Sequence, residues 1–171
     1  GLCPDCRAEL TDPRNRRYRY PYISCTLCGP RYSIMEQLPY DRGHITMKHY
    51  PMCPQCSTEY QEKGNRRRHA QTISCHDCGP QLILTEKTEV SEAEQAIRRS
   101  IRILQHGGVL ALKGVGGYQL CCSVSAPEAV HRIRELKQRE KKPFAVMFAD
   151  IRQVREYCEV SDAEQALLES A

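Results

Sequence analysis

The chain has 171 residues, 40% of them hydrophobic, a formal net charge of +4 and eleven cysteines. No apolar run approaches the roughly 20 residues that cross a bilayer, so no membrane span is expected, and the length suits one small domain plus part of another in the cytoplasm. The sequence begins at Gly1, shows no secretory signal pattern, and breaks off inside a helical pattern, so a piece of a longer protein is expected.

Four Cys-x-x-Cys pairs come first: Cys3/Cys6, Cys25/Cys28, Cys53/Cys56 and Cys75/Cys78, separated by 18, 24 and 18 residues. Each pair aims two thiolates at one point, and two pairs complete a tetrahedron suited to Zn²⁺. The pattern is also a repeat. A shift of 50 residues superimposes Cys3 on Cys53, Pro4 on Pro54, Arg16-Arg17 on Arg66-Arg67, Ile23-Ser24-Cys25 on Ile73-Ser74-Cys75 and Cys28-Gly29-Pro30 on Cys78-Gly79-Pro80. Two four-cysteine zinc fingers in tandem, 3–28 and 53–78, are expected within a metal-stapled region 1–84, each closing on its own ion. A crossed pairing of outer with outer and inner with inner stays open at this point. A disulfide framework fits poorly with an odd cysteine total. Four thiolates leave no open position on the metal, so the ions are structural.

Residues 1–85 hold 12 Lys and Arg against 8 Asp and Glu, while residues 86–171 hold 13 of each, so the whole excess of positive charge sits in the finger half. That resembles a nucleic-acid footprint. Two ions and eight thiolates nevertheless contribute a formal −4, and Arg16, Arg17, Arg66, Arg67 and Arg68 read better as offsets to the anionic centres. RNA binding is the weaker alternative.

Eight of the ten prolines precede residue 81, and the pattern changes after residue 84. A polar linker, 85–90, leads into the opening part of an α/β domain over 91–171. Its first helix has Ser91 and Glu94 as a capping box, an inner face of Ile97, Ile101 and Leu104, and Gly107-Gly108 as the stop. Strands follow at 109–112, 118–124 and 144–148. A second helix opens on Ser125 and Glu128 with Val130, Ile133 and Leu136 inward, a short helix starts near Asp150, and Ser161 with Glu164 opens the last. Cys121, Cys122 and Cys158 read as small core hydrophobes rather than nucleophiles.

Two clusters there suit an anion. Gly114, Gly116 and Gly117 permit close backbone approach next to Lys113 and Tyr118, though the spacing fits neither the dinucleotide fingerprint nor the P-loop. Lys137, Arg139 and Lys142 crowd the end of the second helix, where cations also suit the helix dipole. If both loops share one sheet edge, Lys113, Lys137, Arg139 and Lys142 converge on a polyanion such as a nucleotide triphosphate.

The Cys-Gly-Pro after each second pair, Asp41-Arg42, Met47, Met52-Cys53, Glu59-Tyr60 and Arg68-His69-Ala70-Gln71 resemble the hydrogenase-maturation carbamoyltransferase family, HypF. Leu112 to Tyr118 and Lys142 to Met147 resemble the start of that family's YrdC-like domain. Lys63-Gly64-Asn65 and Thr72 depart from the family's proline-containing segments, which bears on loop shape.

The resemblance implies an enzyme that makes a carbamoyl adenylate from carbamoyl phosphate and ATP with Mg²⁺. It then passes the carbamoyl group to the C-terminal cysteine of a partner maturation protein, as the source of the cyanide ligand of nickel-iron hydrogenase. By the same resemblance Lys113, Lys137, Arg139 and Lys142 bind phosphates, and this stretch alone is inactive. The rival enzyme is a threonylcarbamoyl-adenylate synthase of tRNA modification, whose threonine-rich strand exit is replaced here by Lys113 to Leu120. A non-enzymatic zinc module with weak double-stranded RNA binding is the third reading.

Overall fold

A computed structural model describes residues 1–114 and 116–170. The chain divides into two compact units, Gly1–Ile103 with Lys113–Gly117, and Leu104–Leu112 with the chain from Tyr118 onward.

Each repeat of the first unit opens on a short helix, α1 (Pro4–Thr11) and α2 (Pro54–Gln61). Both start alike. A cysteine is the N-cap, proline takes the first helical position where its missing N–H costs nothing, and the second cysteine follows at N3. The cap sulfur stands in for a capping oxygen: Cys3 Sγ accepts the Cys6 N–H at 3.4 Å and Cys53 Sγ the Cys56 N–H at 3.5 Å. The positive end of the helix dipole favours thiolate at both positions.

After each helix an asparagine turn redirects the chain, with Asn15 Oδ1 accepting from Arg17 N and Asn65 Oδ1 from Arg67 N, both at 2.9 Å. Arg19 and His69 then take left-handed φ values of 57° and 56°. Ile23 to Cys25 and Ile73 to Cys75 run in, buried, to the second cysteine pairs. Cys6, Tyr20, Ile23, Cys25 and Cys28 form one small core; Cys56, Ala70, Ile73 and Cys75 form the other. Cores of four or five residues cannot offset the entropy of ordering such irregular chain without a metal.

The spacer 29–52 is built of 3-10 turns around buried Ile45 and Met47. Arg42 anchors it to the second repeat, its guanidinium donating to the carbonyls of Gln71 and Ile73 at 2.9 Å and of Tyr50 at 2.6 Å. Asp41, beside it, caps the turn by accepting from Gly43 N.

Residues 85–90, expected as a linker, lie instead within an antiparallel hairpin of β1 (Ile83–Glu86) and β2 (Glu89–Glu92). The turn places Glu86 opposite Glu89, a repulsive pair that Arg99 neutralises by reaching both, at 2.5 and 2.8 Å. Ser91 is consequently a buried strand residue whose Oγ accepts from Arg99, not a helix cap. Helix α3 (Ala93–Gln105) follows directly, buries Ala96, leaves Ile101 exposed, and ends at Gly107 in a left-handed turn.

Strands β3 (Leu110–Gly114) and β4 (Gly117–Cys121) pair as a two-stranded sheet. Helix α4 (Pro127–Lys137) buries Ala129 and Ile133 and exposes Leu136. The capping box at Ser125 and Glu128 does not form, because Pro127 takes the first helical position and makes Ala126 the cap. Residues 144–148, expected as a strand, have no regular secondary structure, and among the described residues they join neither sheet. Asp150 caps α5 (Ile151–Tyr157), and Ser161 with Glu164 forms the expected capping box of α6 (Asp162–Leu168). No helix among the described residues is long and apolar enough to cross a membrane.

Candidate functional site

The eight cysteines of the repeats gather within repeats, not across them. Cys3, Cys6, Cys25 and Cys28 form one cluster and Cys53, Cys56, Cys75 and Cys78 the other, all sulfurs of a cluster lying within 4.8 Å of one another. The separations Cys3 to Cys25, Cys25 to Cys28, Cys53 to Cys75 and Cys75 to Cys78 are 3.5, 3.9, 3.8 and 3.8 Å. A tetrahedral zinc with Zn–S bonds of about 2.3 Å demands about 3.8 Å, whereas a disulfide brings its sulfurs to about 2.05 Å. Both clusters therefore fit structural zinc. Four thiols this close cannot all ionise unaided. Burial pushes Cys6 up to about 12, while Cys28, against its own burial, is held down to about 6 by the backbone N–H groups of Cys3 and Cys25. A divalent cation lets all four stand as thiolates at once.

The counter-charges cross between repeats. Arg16 Nη2 donates to Cys75 Sγ at 3.0 Å and to Cys53 Sγ at 3.4 Å, and Arg17 Nη2 donates to Cys56 Sγ at 3.3 Å. Reciprocally, Arg66 Nη1 donates to Cys6 Sγ at 3.2 Å, and Arg67 Nη2 lies 4.0 Å from the same sulfur. Arg17 Nε donates to the Ser74 carbonyl at 2.9 Å and Arg67 Nε to the Ser24 carbonyl at 3.1 Å. Glu59 holds Arg16 and Arg17 at 3.1 and 2.6 Å, and Glu9 holds Arg66 at 2.6 Å together with Arg67. Burial acts to raise both carboxyls, but Arg67 and Arg66 pull Glu9, and Arg17 pulls Glu59, below the usual carboxylate range. At the seam Ser24 and Thr72 share a 2.6 Å hydroxyl contact.

The symmetry breaks at Tyr20. Tyr20 has Ala70 as its counterpart, and its buried hydroxyl donates towards Ser74 Oγ at 3.1 Å and the Pro80 carbonyl at 3.2 Å. A Cβ on Gly79 would fall 1.9 Å from that hydroxyl. Gly29, its equivalent, faces open space and is glycine because its φ is +75°.

The residues expected to bind phosphate lie in two groups. Lys113 and Gly114 end β3; Gly116 and Gly117 follow, the latter at φ +136°, with open space where either Cβ would stand; Tyr118, 69% exposed, continues β4. Val115 lies outside the described residues. In the second unit Lys137 ends α4 and Arg139 and Lys142 follow, all three exposed. The structure adds Arg134, whose Nη1 donates to the carbonyls of Arg139, Glu140 and Lys142 at 3.1, 3.3 and 3.1 Å while its guanidinium stacks 4.5 Å over the Phe144 ring. That clamp shapes the basic loop. Sequence reasoning passed over Arg134, Glu9 and Asn15, although the 50-residue shift that aligns the cysteines also pairs Glu9 with Glu59 and Asn15 with Asn65.

Residues 2–35 and 52–85 match the family described as HypF finger, and residues 102–171 match the Sua5/YciO/YrdC family described as Telomere recombination. The chain is 52% identical over 169 residues to carbamoyltransferase HypF2 of Cupriavidus necator, covering 98% of this chain and 21% of that protein. It is 51% identical over 173 residues to carbamoyltransferase HypF of Synechocystis, covering 100% of this chain and 23% of the relative. Among solved structures, full-length HypF in a phosphate- and nucleotide-bound form superposes with a TM-score of 0.89 at 46% identity, over 99% of this chain and 22% of that one. HypF of T. kodakarensis gives 0.92 at 42% identity, over 99% and 22%. The chain thus spans about a fifth of the length of the curated relatives it matches. With identity near 50% along its whole length, paired four-cysteine clusters in the HypF-finger register and a YrdC-type region behind them, the chain belongs to the HypF family.

Proposed function

We propose that this chain supplies the metal-stapled scaffold and part of the nucleotide site of a cytoplasmic, ATP-dependent carbamoyltransferase. Residues 1–84 hold two structural zinc ions, one on Cys3, Cys6, Cys25 and Cys28 and one on Cys53, Cys56, Cys75 and Cys78. Residues 91–171 contribute to a YrdC-like α/β domain, with 85–90 joining the two. The whole protein makes a carbamoyl adenylate from carbamoyl phosphate, water and Mg²⁺-ATP, releasing phosphate as the carbamoyl phosphate is cleaved and pyrophosphate as the carbamate takes the adenylyl group. It then hands the carbamoyl group to the C-terminal cysteine of a maturation partner, on the way to the cyanide ligand of nickel-iron hydrogenase. The observation that carries this reading is the 52% identity, over 98% of the chain, to a protein named carbamoyltransferase HypF2.

In that reading Lys113, Lys137, Arg139 and Lys142 neutralise phosphate charge and stabilise pyrophosphate as it leaves. Gly114, Gly116 and Gly117 let the backbone approach the nucleotide beside Tyr118. RNA binding is disfavoured because Arg16, Arg17, Arg66 and Arg67 are occupied by thiols, carboxylates and carbonyls. In a protein of the relatives' full length, Lys113→Ala, Lys137→Ala and Arg139→Ala should each slow carbamoyl-phosphate-dependent exchange of pyrophosphate into ATP. One charge-assisted contact is worth about 2 kcal/mol, roughly thirtyfold in rate. Wild-type exchange in all three variants would overturn the site.

A further inference from the structure

We propose that Arg16, Arg17, Arg66 and Arg67 make the two metal centres one cooperative unit, so that zinc loads and leaves both together. The proposal rests on the reading that each four-cysteine cluster holds zinc, and adds that neither cluster is electrostatically complete within its own repeat.

Zinc with four thiolates carries a formal charge of −2, Glu59 or Glu9 beside it makes −3, and two guanidiniums bring this to −1. At the second cluster those guanidiniums are Arg16 and Arg17 of the first repeat; at the first cluster they are Arg66 and Arg67 of the second. Arg17 and Arg67 are only 2% and 4% exposed, so their charge depends on the anions built around them. Each also ties the backbone of the opposite repeat through the carbonyl of Ser74 or Ser24.

The arginines are held in place by their own repeat. Asn15 and Asn65 turn the chain to present them, and that turn sits between the two cysteine pairs that one metal draws together. A small finger orders only when its metal is bound. Loading the first cluster therefore fixes Arg16 and Arg17 where the second cluster needs them, and loading the second fixes Arg66 and Arg67 for the first. Coupling of this kind is reciprocal by thermodynamic necessity.

The test is native mass spectrometry of the metal-stripped, reduced protein titrated with Zn²⁺. At one equivalent, two equal and independent sites leave about half of the molecules singly loaded, while tenfold coupling lowers that fraction to about a quarter. A quarter or less is expected in the wild type. Arg16→Gln combined with Arg66→Gln should return the fraction towards one half while capacity stays at two ions. Arg14→Gln, on an arginine whose side chain is 91% exposed and paired with Asp12 of its own turn, should change nothing. A second measurement guards against unequal intrinsic affinities: in Cys25→Ser, the remaining cluster should half-load in chelator competition at a free zinc concentration at least about threefold above that of the wild type, the square root of a tenfold coupling. Unchanged affinity of that cluster, or half or more of the wild type singly loaded, overturns the coupling. A wild-type distribution in the double arginine variant removes the arginines as its carriers. A protein that retains no zinc sinks the underlying reading, and the coupling with it.

Discussion

Gly79→Ala should be among the most damaging single-methyl additions in this chain. The new Cβ would lie 1.9 Å from the Tyr20 hydroxyl, 2.6 Å from Ser74 Cβ and 2.9 Å from Ser74 Oγ. Tyr20 is fully buried, so it has no open side to retreat to. Overpacking costs about 1–3 kcal/mol, and pushing the hydroxyl off Ser74 and Pro80 leaves a buried donor unpaired for about 1–3 kcal/mol more. A total of about 4 kcal/mol is expected, read as a shift in urea midpoint at fixed, saturating zinc. Gly29→Ala supplies the contrast: no atom obstructs it, and only the positive φ is lost, at about 1–3 kcal/mol. Tyr20→Phe removes the nearest obstruction, so Gly79→Ala in that background should cost at least about 1 kcal/mol less than in the wild type, a non-additivity a double-mutant cycle resolves. Strict additivity, or a Gly79→Ala protein within about 0.5 kcal/mol of wild type, would refute the steric account.

Elemental analysis should find two zinc ions per chain, and stripping them under reducing conditions should release buried Tyr20, seen as loss of near-ultraviolet dichroism; one ion or none contradicts the fit of the clusters. Glu9 and Glu59 titrate below the usual carboxylate value, so the stability they contribute is complete above the unfolded value of about 4.3 and is lost as pH falls through their lower folded values. Glu9→Gln and Glu59→Gln should therefore each cost about 2 kcal/mol at about pH 7, with the gap to wild type closing in acid; a gap that stays constant down to about pH 3.5 argues against the arginine pairing. Arg134→Ala should loosen the basic loop, raising tryptic cleavage between Lys137 and Lys142 by about fivefold for about 1 kcal/mol of lost local order; an unchanged cleavage rate would show that the clamp does not hold the loop.

What could be read in advance followed from local chemistry. The eight cysteines, their grouping by repeat and the capping box at Ser161 depend on residues three apart or on a single repeat register, and both survive into the fold. The partners of Arg16, Arg17, Arg66 and Arg67 were not readable, because a repeat shows which residues are equivalent and not which copy each faces. Ser91 looked like a cap, but Arg99 pins Glu86 to Glu89 and draws the segment into a hairpin. Ser125 stood one residue too early once Pro127 claimed the first helical position. The apolar run at 144–148 suits a strand, yet strand formation depends on a neighbour that no local pattern reports.

The crossed arginines give the finger region the contact logic of a two-fold dimer. Residue i of one copy meets residue j of the other and j meets i, the signature of an isologous interface, here between two halves of one polypeptide. A lone repeat would present two guanidiniums with no anion to face and an anion with no guanidinium, and a second lone repeat would satisfy both. The 24 residues from Cys28 to Cys53 replace that encounter with a tether, holding the halves at an effective concentration in the millimolar range. Dilution, which would separate a pair of free protomers, leaves this seam closed.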